Sequence, residues 1–184
     1  MLGKEVKEAV KLHGHLCFGL CVGLAASRFA MENLGVERAK GEELVVIAEN
    51  NSCAVDAIQV VAGATSGRGN LIIKDWGKHA YTFATRKDGR AIRVSLRYDV
   101  FAGIKDRKKR MKKLMDIEAS EAFKLKEVKI DLPPEAEVVK SVQCSSCKEP
   151  VMETRTRLRD GGRYCTSCYE KVYIEPSGIE TQRD

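Results

Sequence analysis

Two groups of residues in this chain have the types and spacing to do chemistry. The first is tight: His13, His15 and Cys17 fall within five residues, in the run HGHLC, with Cys21 four positions on and Cys53 farther along. In an extended segment residues 13, 15 and 17 share one side, whereas in a helix 13, 17 and 21 share a face and 15 points elsewhere. Gly14 disfavours an unbroken helix. Either geometry ends at the N-terminus of an apolar helix, where the helix dipole and a neighbouring imidazole stabilise a thiolate. One or two histidines with two cysteines form a donor set suited to Zn2+ or Fe2+, and three protein ligands leave a fourth position for water or substrate. The same residues also serve as packing, a hydrogen-bonded histidine pair beside thiols that act as small apolar groups. Cys21, set among Leu20, Val22 and Leu24, reads as core.

The second group is Cys144-x2-Cys147 and Cys165-x2-Cys168, separated by 17 residues. Each pair can curl around an ion as a knuckle, and the spacer is long enough for a hairpin that carries the second pair across to the first. Residues 151–163 are strand-like with a Gly161-Gly162 turn, as a zinc ribbon or treble-clef-like finger requires. Four thiolates close a tetrahedron, so this Zn2+ is structural and keeps no open position.

Around these groups lie weaker signals. Asp56 and Asp75 can act as acid, base or partner of a ligating histidine, and as single carboxylates they equally serve as caps. His79, near Trp76, reads as structural. The loop GATSGRGN (63–70) offers backbone N–H groups and Arg68, yet it lacks the GK[ST] ending of a phosphate loop and reads as a turn. Lys105 to Lys113 (KDRKKRMKK) holds seven basic residues in nine and could meet phosphates, although no aromatic residue is interleaved to stack on bases.

The elements that must position these groups follow from periodicity. Residues 3–11 and 19–33 read as helices, the second apolar or small nearly all round and therefore buried. Its Gly19, Gly23 and Ser27 recur every four residues and make one side smooth enough for close backbone approach. Residues 43–49 read as a buried strand, and 53–62 as a helix capped by Ser52 or Asn51 with Asp56 in its first turn. Runs 71–73, 81–85 and 91–98 read as strands, the last two a hairpin around Gly89. Residues 105–127 read as a charged helical region, Pro133-Pro134 as a hinge, and 137–142 as a short strand.

The chain has 184 residues, 43% hydrophobic and 32% charged, with a net charge of +6, which excludes a wholly disordered chain and a membrane protein. Seven cysteines, an odd number, argue against a disulfide scaffold. The charged opening MLGKEVKEAVK is unlike an export signal, so the expected location is cytoplasmic, with reduced thiols open to metal. The expected organisation is an α+β core at 1–130 with a mixed or antiparallel sheet and buried helices, a linker and strand at 131–143, the finger at 144–175 and a flexible tail at 176–184.

Taken together, HGHLCFG (13–19), CAVDAIQ (53–59), GATSGRGN (63–70) and DWGKHAYTF (75–83), followed by a four-cysteine finger, resemble the FmdE family of formylmethanofuran dehydrogenase subunits. Phe18 and Ala64 stand where that pattern carries proline and cysteine. The resemblance implies an α+β domain, paired as a homodimer, with a cleft metal (Zn2+ or Fe2+) at His15, Cys17 and Cys53, His13 as alternate ligand and Asp56 close by. It also implies association with molybdenum or tungsten redox enzyme subunits in CO2/formyl one-carbon metabolism, without a molybdopterin centre of its own. Two other readings compete. One is a stand-alone enzyme on a small-molecule ligand, with Cys17, Cys53 and Asp56 catalytic; the other is a nucleic-acid-binding regulator using residues 105–113 and the finger.

Overall fold

In the computed structural model the described residues are 3–171, and the tail expected at 176–184 lies outside them. The chain divides into two units, residues 1–136 and 137–184. The first runs α1 (Lys4–His13), α2 (Phe18–Leu34), β1 (Leu44–Ala48), α3 (Ala54–Ala62), β2 (Leu71–Ile73), β3 (Ala80–Thr85), β4 (Ala91–Leu96), α4 (Tyr98–Phe101), α5 (Arg107–Asp116), α6 (Ala119–Ala122) and β5 (Phe123–Val128). Its sheet has the order β2-β1-β3-β4-β5, with β1 and β2 parallel and every other pair antiparallel. The fold is therefore α+β with a mixed sheet.

The core lies between one face of this sheet and the helices. Val46, Phe83 and Ile92 align across three strands, as do Ala48, Tyr81, Val94 and Leu125 across four. These side chains join Leu20, Leu24, Ile58 and Val61 in one apolar cluster. The buried helix α2 packs on α3 through its small residues: a Cβ on Gly23 would sit 2.3 Å from the Ala54 carbonyl oxygen, and one on Gly19 would sit 3.1 Å from Cys53 Cβ. At Gly23, where the obstacle is backbone, only glycine admits that approach. Ser52 starts α3 by accepting the Ala54 N–H on its Oγ.

Three expectations change. The helical reading of 105–127 holds to Ala122, but Phe123–Val128 is an edge strand paired to β4. In FKLKEV, Phe123 and Leu125 alternate with Lys124 and Lys126, and lysines on an edge strand discourage stray pairing. The strand read at 91–98 stops at Leu96, and Tyr98 opens α4. The proline pair is not a free hinge. Arg86 donates to Pro133 O at 2.8 Å and Pro134 O at 3.4 Å, and the Ala136 N–H donates to Glu42 Oε2 at 3.0 Å.

The second unit holds β6 (Ser141–Gln143), β7 (Pro150–Met152), β8 (Thr156–Arg159), β9 (Gly162–Cys165) and α7 (Thr166–Glu170), arranged as two antiparallel hairpins, so the strand read at 137–142 is confined to Ser141–Gln143, where β7 supplies a pairing partner. Asp160 and Gly161 turn the second hairpin with positive φ. No helix among the described residues is long and apolar enough to cross a membrane.

Candidate metal centres

The finger assembles as its spacing requires. The Cys144-x2-Cys147 knuckle follows β6, and the second pair sits where β9 runs into α7. All four sulfur atoms lie within 4.8 Å of one another, with Cys147 Sγ and Cys165 Sγ 4.0 Å apart. Sulfurs bound to one tetrahedral zinc at 2.3 Å stand about 3.8 Å apart, so the donor set fits. Its electrostatics are those of a group built around a dication. The Cys165 N–H points at Cys144 Sγ (3.3 Å) and, with the N–H groups of Ser146 and Cys147, draws that thiol down to about 6. Cys165 is lowered as well, chiefly by Ser167, whereas Cys168, hydrogen-bonded to Cys165, is raised. Four neighbouring thiols cannot all ionise without a cation to offset them.

The histidine–cysteine cluster is assembled from three helix ends. Gly14 stops α1 in the left-handed conformation (φ 94°), its N–H donating to Val10 O, and so makes His13 the last helical residue. Cys17 is the N-cap of α2, extended, with its sulfur accepting the Leu20 N–H at 3.4 Å. Asp56 lies in the first turn of α3 and accepts from His13 Nδ1 at 2.8 Å. Because a carboxylate can only accept there, Nδ1 carries the proton and Nε2 presents its lone pair, 3.8 Å from Cys17 Sγ. The His15 ring stacks beside His13, centroids 4.7 Å apart. Donor atoms of His13, His15 and Cys17 all fall within 4.8 Å of one another, a group that could hold a metal ion.

The sequence-derived site residues are thus partly united. Cys53 does not join that set, although it neighbours Cys17 and its thiol is pushed up by desolvation and by that neighbour. Cys21 is core, 6% exposed, with burial and then the Cys17 thiol raising it to about 11. Asp75 accepts the Asn51 N–H. The 63–70 loop is a turn: Arg68 donates to Gly63 O, and buried Asn70 bonds Thr65 N, Gly41 O and Leu44 O.

Sequence reasoning missed a polar network beside Cys53. Ser52 Oγ donates to Asn50 Oδ1 (2.9 Å), and His79 Nδ1 is 3.1 Å from Asn50 Nδ2 and 3.3 Å from the Tyr81 hydroxyl. Burial lowers His79 and raises Tyr81 to about 12. The available signal was the polar run Asn50-Asn51-Ser52 between a buried strand and a buried helix.

Comparison with known proteins follows the same division. Residues 139–173 match the prokaryotic dksA/traR C4-type zinc finger, in accord with a structural Zn2+ at the four cysteines. A crystal structure described as a tungsten formylmethanofuran dehydrogenase FmdE-like protein from Syntrophus aciditrophicus superposes with a TM-score of 0.71 over 92% of both chains at 23% identity, which establishes the shared fold. A protein of Archaeoglobus fulgidus described as a probable S-adenosyl-L-methionine-binding protein is 31% identical over 203 aligned positions. That alignment covers 94% of this chain and 54% of the relative, so the chain spans about half its relative's length. Residues 12–148, which contain the whole histidine–cysteine cluster, match the family model described as FmdE, molybdenum formylmethanofuran dehydrogenase operon, and the chain belongs to that family.

Proposed function

We propose that this protein is a metal-binding accessory member of the FmdE family, in which His13, His15 and Cys17 hold Zn2+ or Fe2+ and Cys53 stands ready as a further thiol ligand. The observation that carries this reading is the Asp56–His13–Cys17 alignment. Metal-bound histidines characteristically donate their other ring N–H to a carboxylate, which fixes tautomer and ring direction. Asp56 is therefore a positioning residue. Three protein donors leave a coordination position for a small ligand. On this reading the protein acts as a homodimer alongside larger redox subunits in molybdenum- or tungsten-dependent CO2/formyl metabolism, a role that its FmdE-family match supports. S-adenosyl-L-methionine, named for the Archaeoglobus relative, is a ligand to test.

Metal content per chain, measured by mass spectrometry on anaerobically purified protein, tests the reading. Wild type is expected to carry two ions, Cys144→Ala/Cys147→Ala one, and His13→Ala/Cys17→Ala one. Asp56→Asn is expected to weaken the cluster ion about 10- to 100-fold and to leave the finger ion unchanged. A single ion in wild type, lost with the finger cysteines, overturns the proposal.

One observation favours a second reading. Asp56, His13 and Cys17 also stand in the order of a carboxylate–imidazole–thiol relay, with the α2 N-terminus behind the sulfur. In that case Cys17 is a nucleophile. Iodoacetamide separates the two: a metal-bound Cys17 reacts only after chelation, whereas a free thiolate reacts at once.

A further inference from the structure

Beside the cluster lies a cleft that none of the chemistry above uses. It has a volume of about 520 Å³ and is walled by Phe18, Lys78, His79, Arg97, Tyr98 and Arg110, with Arg93 behind them. Arg93 is already committed, its Nε and Nη2 gripping the two oxygens of buried Glu49 at 2.5 and 2.7 Å. Desolvation keeps His79 toward its neutral form. Lys78, Arg97 and Arg110 remain, and among the described residues none of them has a carboxylate within ion-pair distance.

Arg110 is the residue that gives the cleft its direction. Of the basic run 105–113, Arg107, Lys108, Lys109 and Lys112 are exposed. Arg110 instead turns inward. Its guanidinium lies 5.8 Å from the centre of the Phe18 ring, and Nη2 donates to Phe101 O at 3.3 Å. Its Nε is buried with no acceptor. A guanidinium held in place by Phe18 and the Phe101 carbonyl, with no carboxylate partner, at the wall of a recess that focuses its field, is a receptor for a carboxylate or phosphate oxygen. Two ring faces complete the recess: Phe18, and Tyr98, whose side chain is left 86% exposed. Cationic forks beside open rings suit a ligand with an anionic end and a flat apolar body.

We infer that this cleft binds the carboxylate or phosphate group of a small organic anion, held by Arg110, Arg97 and Lys78, with the ligand's planar part against Phe18 and Tyr98. Phe18 directly follows Cys17, and His79 reaches through Asn50 to Ser52, the residue before Cys53. The inference stands on the cleft's own residues and holds with or without a metal at His13, His15 and Cys17.

Isothermal calorimetry on the full chain tests it, with phenyl phosphate, benzoate and neutral benzyl alcohol as probes. Both anions should bind at least tenfold more tightly than the alcohol, and the preference between them identifies the anionic group. Arg110→Gln should weaken phenyl phosphate binding tenfold or more, while Lys108→Gln, which removes the same charge from the exposed side of α5, should leave it within twofold. His13→Ala/Cys17→Ala should also retain binding, which separates this inference from the metal reading. Thermal melts confirm that each variant is folded, and Arg97→Gln stands in if Arg110→Gln is not. Equal binding of anions and alcohol, or equal loss in the Arg110 and Lys108 variants, overturns the inference. A duplex oligonucleotide whose affinity depends on Lys108 and not on Arg110 would likewise overturn it, by assigning the basic helix to nucleic acid.

Discussion

The two thiol-bearing sites of this chain are held in opposite ways. The finger has almost nothing beneath it: Cys144 is the one buried residue among the described residues of the second unit, and Leu158 and Met152 are left 72% and 55% exposed. Its two short hairpins have no apolar core to stand on, so the ion supplies what packing does not. The histidine–cysteine cluster stands on a finished core. Its residues are placed by the C-terminus of α1, the N-cap of α2 and the first turn of α3, all anchored by packing that needs no metal. One site needs its ion to fold, and the other has its frame in place whether or not an ion is bound. A metal whose protein frame pre-exists can be exchanged or can change its ligands without unfolding its host, which is what a working site requires.

Removing metal is the strongest way to break the comparison. A chelator, or Cys144→Ala, should abolish ordered structure in residues 141–170 altogether, read as loss of amide dispersion and rapid proteolysis there. The core signals should stay in place. A finger that survives chelation would refute the contrast.

A smaller effect comes from the other side. Gly23→Ala places a Cβ 2.3 Å from the Ala54 carbonyl and must separate α2 from α3. Overpacking of this kind costs about 2–3 kcal/mol. It should appear as a lowered urea midpoint for the core and a weakened cluster metal, with the finger's zinc content unchanged.

The smallest effect sharpens the electrostatic part of the core. The hydrogen bonds from Arg93 hold the Glu49 carboxyl below its ordinary value of 4.5. A depressed folded-state pKa gives stability that is present above about 4.5 and is lost as pH falls through the lower value. Glu49→Gln should therefore lower the urea midpoint at neutral pH and flatten its fall as pH drops below about 4.5. An unchanged acid slope would mean that this pair does not carry it.

What could be read from the sequence divides along a physical line. Local spacing was enough for the finger and for the smooth face of α2, because each is encoded within a few residues, whereas the first helix, read as ending at residue 11, runs on to His13 before Gly14 stops it. The cluster's histidines were visible for the same reason. Asp56 could be named as a partner for a ligating histidine, but its pairing with His13 in particular could not, since the two are 43 positions apart and meet only because α1 packs on α3. The strand at 123–128 was hidden by lysines that favour helix locally, and its identity comes from pairing with β4, a partner no local window contains. The cationic cleft is the extreme case. Phe18, Lys78, Arg97 and Arg110 come from four separate stretches, and each alone is an ordinary residue.

Cys21 has a use of a different kind. Burial and the Cys17 thiol push it up to about 11, and it is 6% exposed within the helix layer. Under native conditions it is the silent member of the seven cysteines, while alkylating reagents can count the others as metal is stripped away. Its labelling clock starts only when the helix layer opens, so the slow seventh adduct in a mass spectrum times global opening of the core. The chain thus carries its own internal reporter, able to distinguish a protein that has lost its ions from one that has lost its fold.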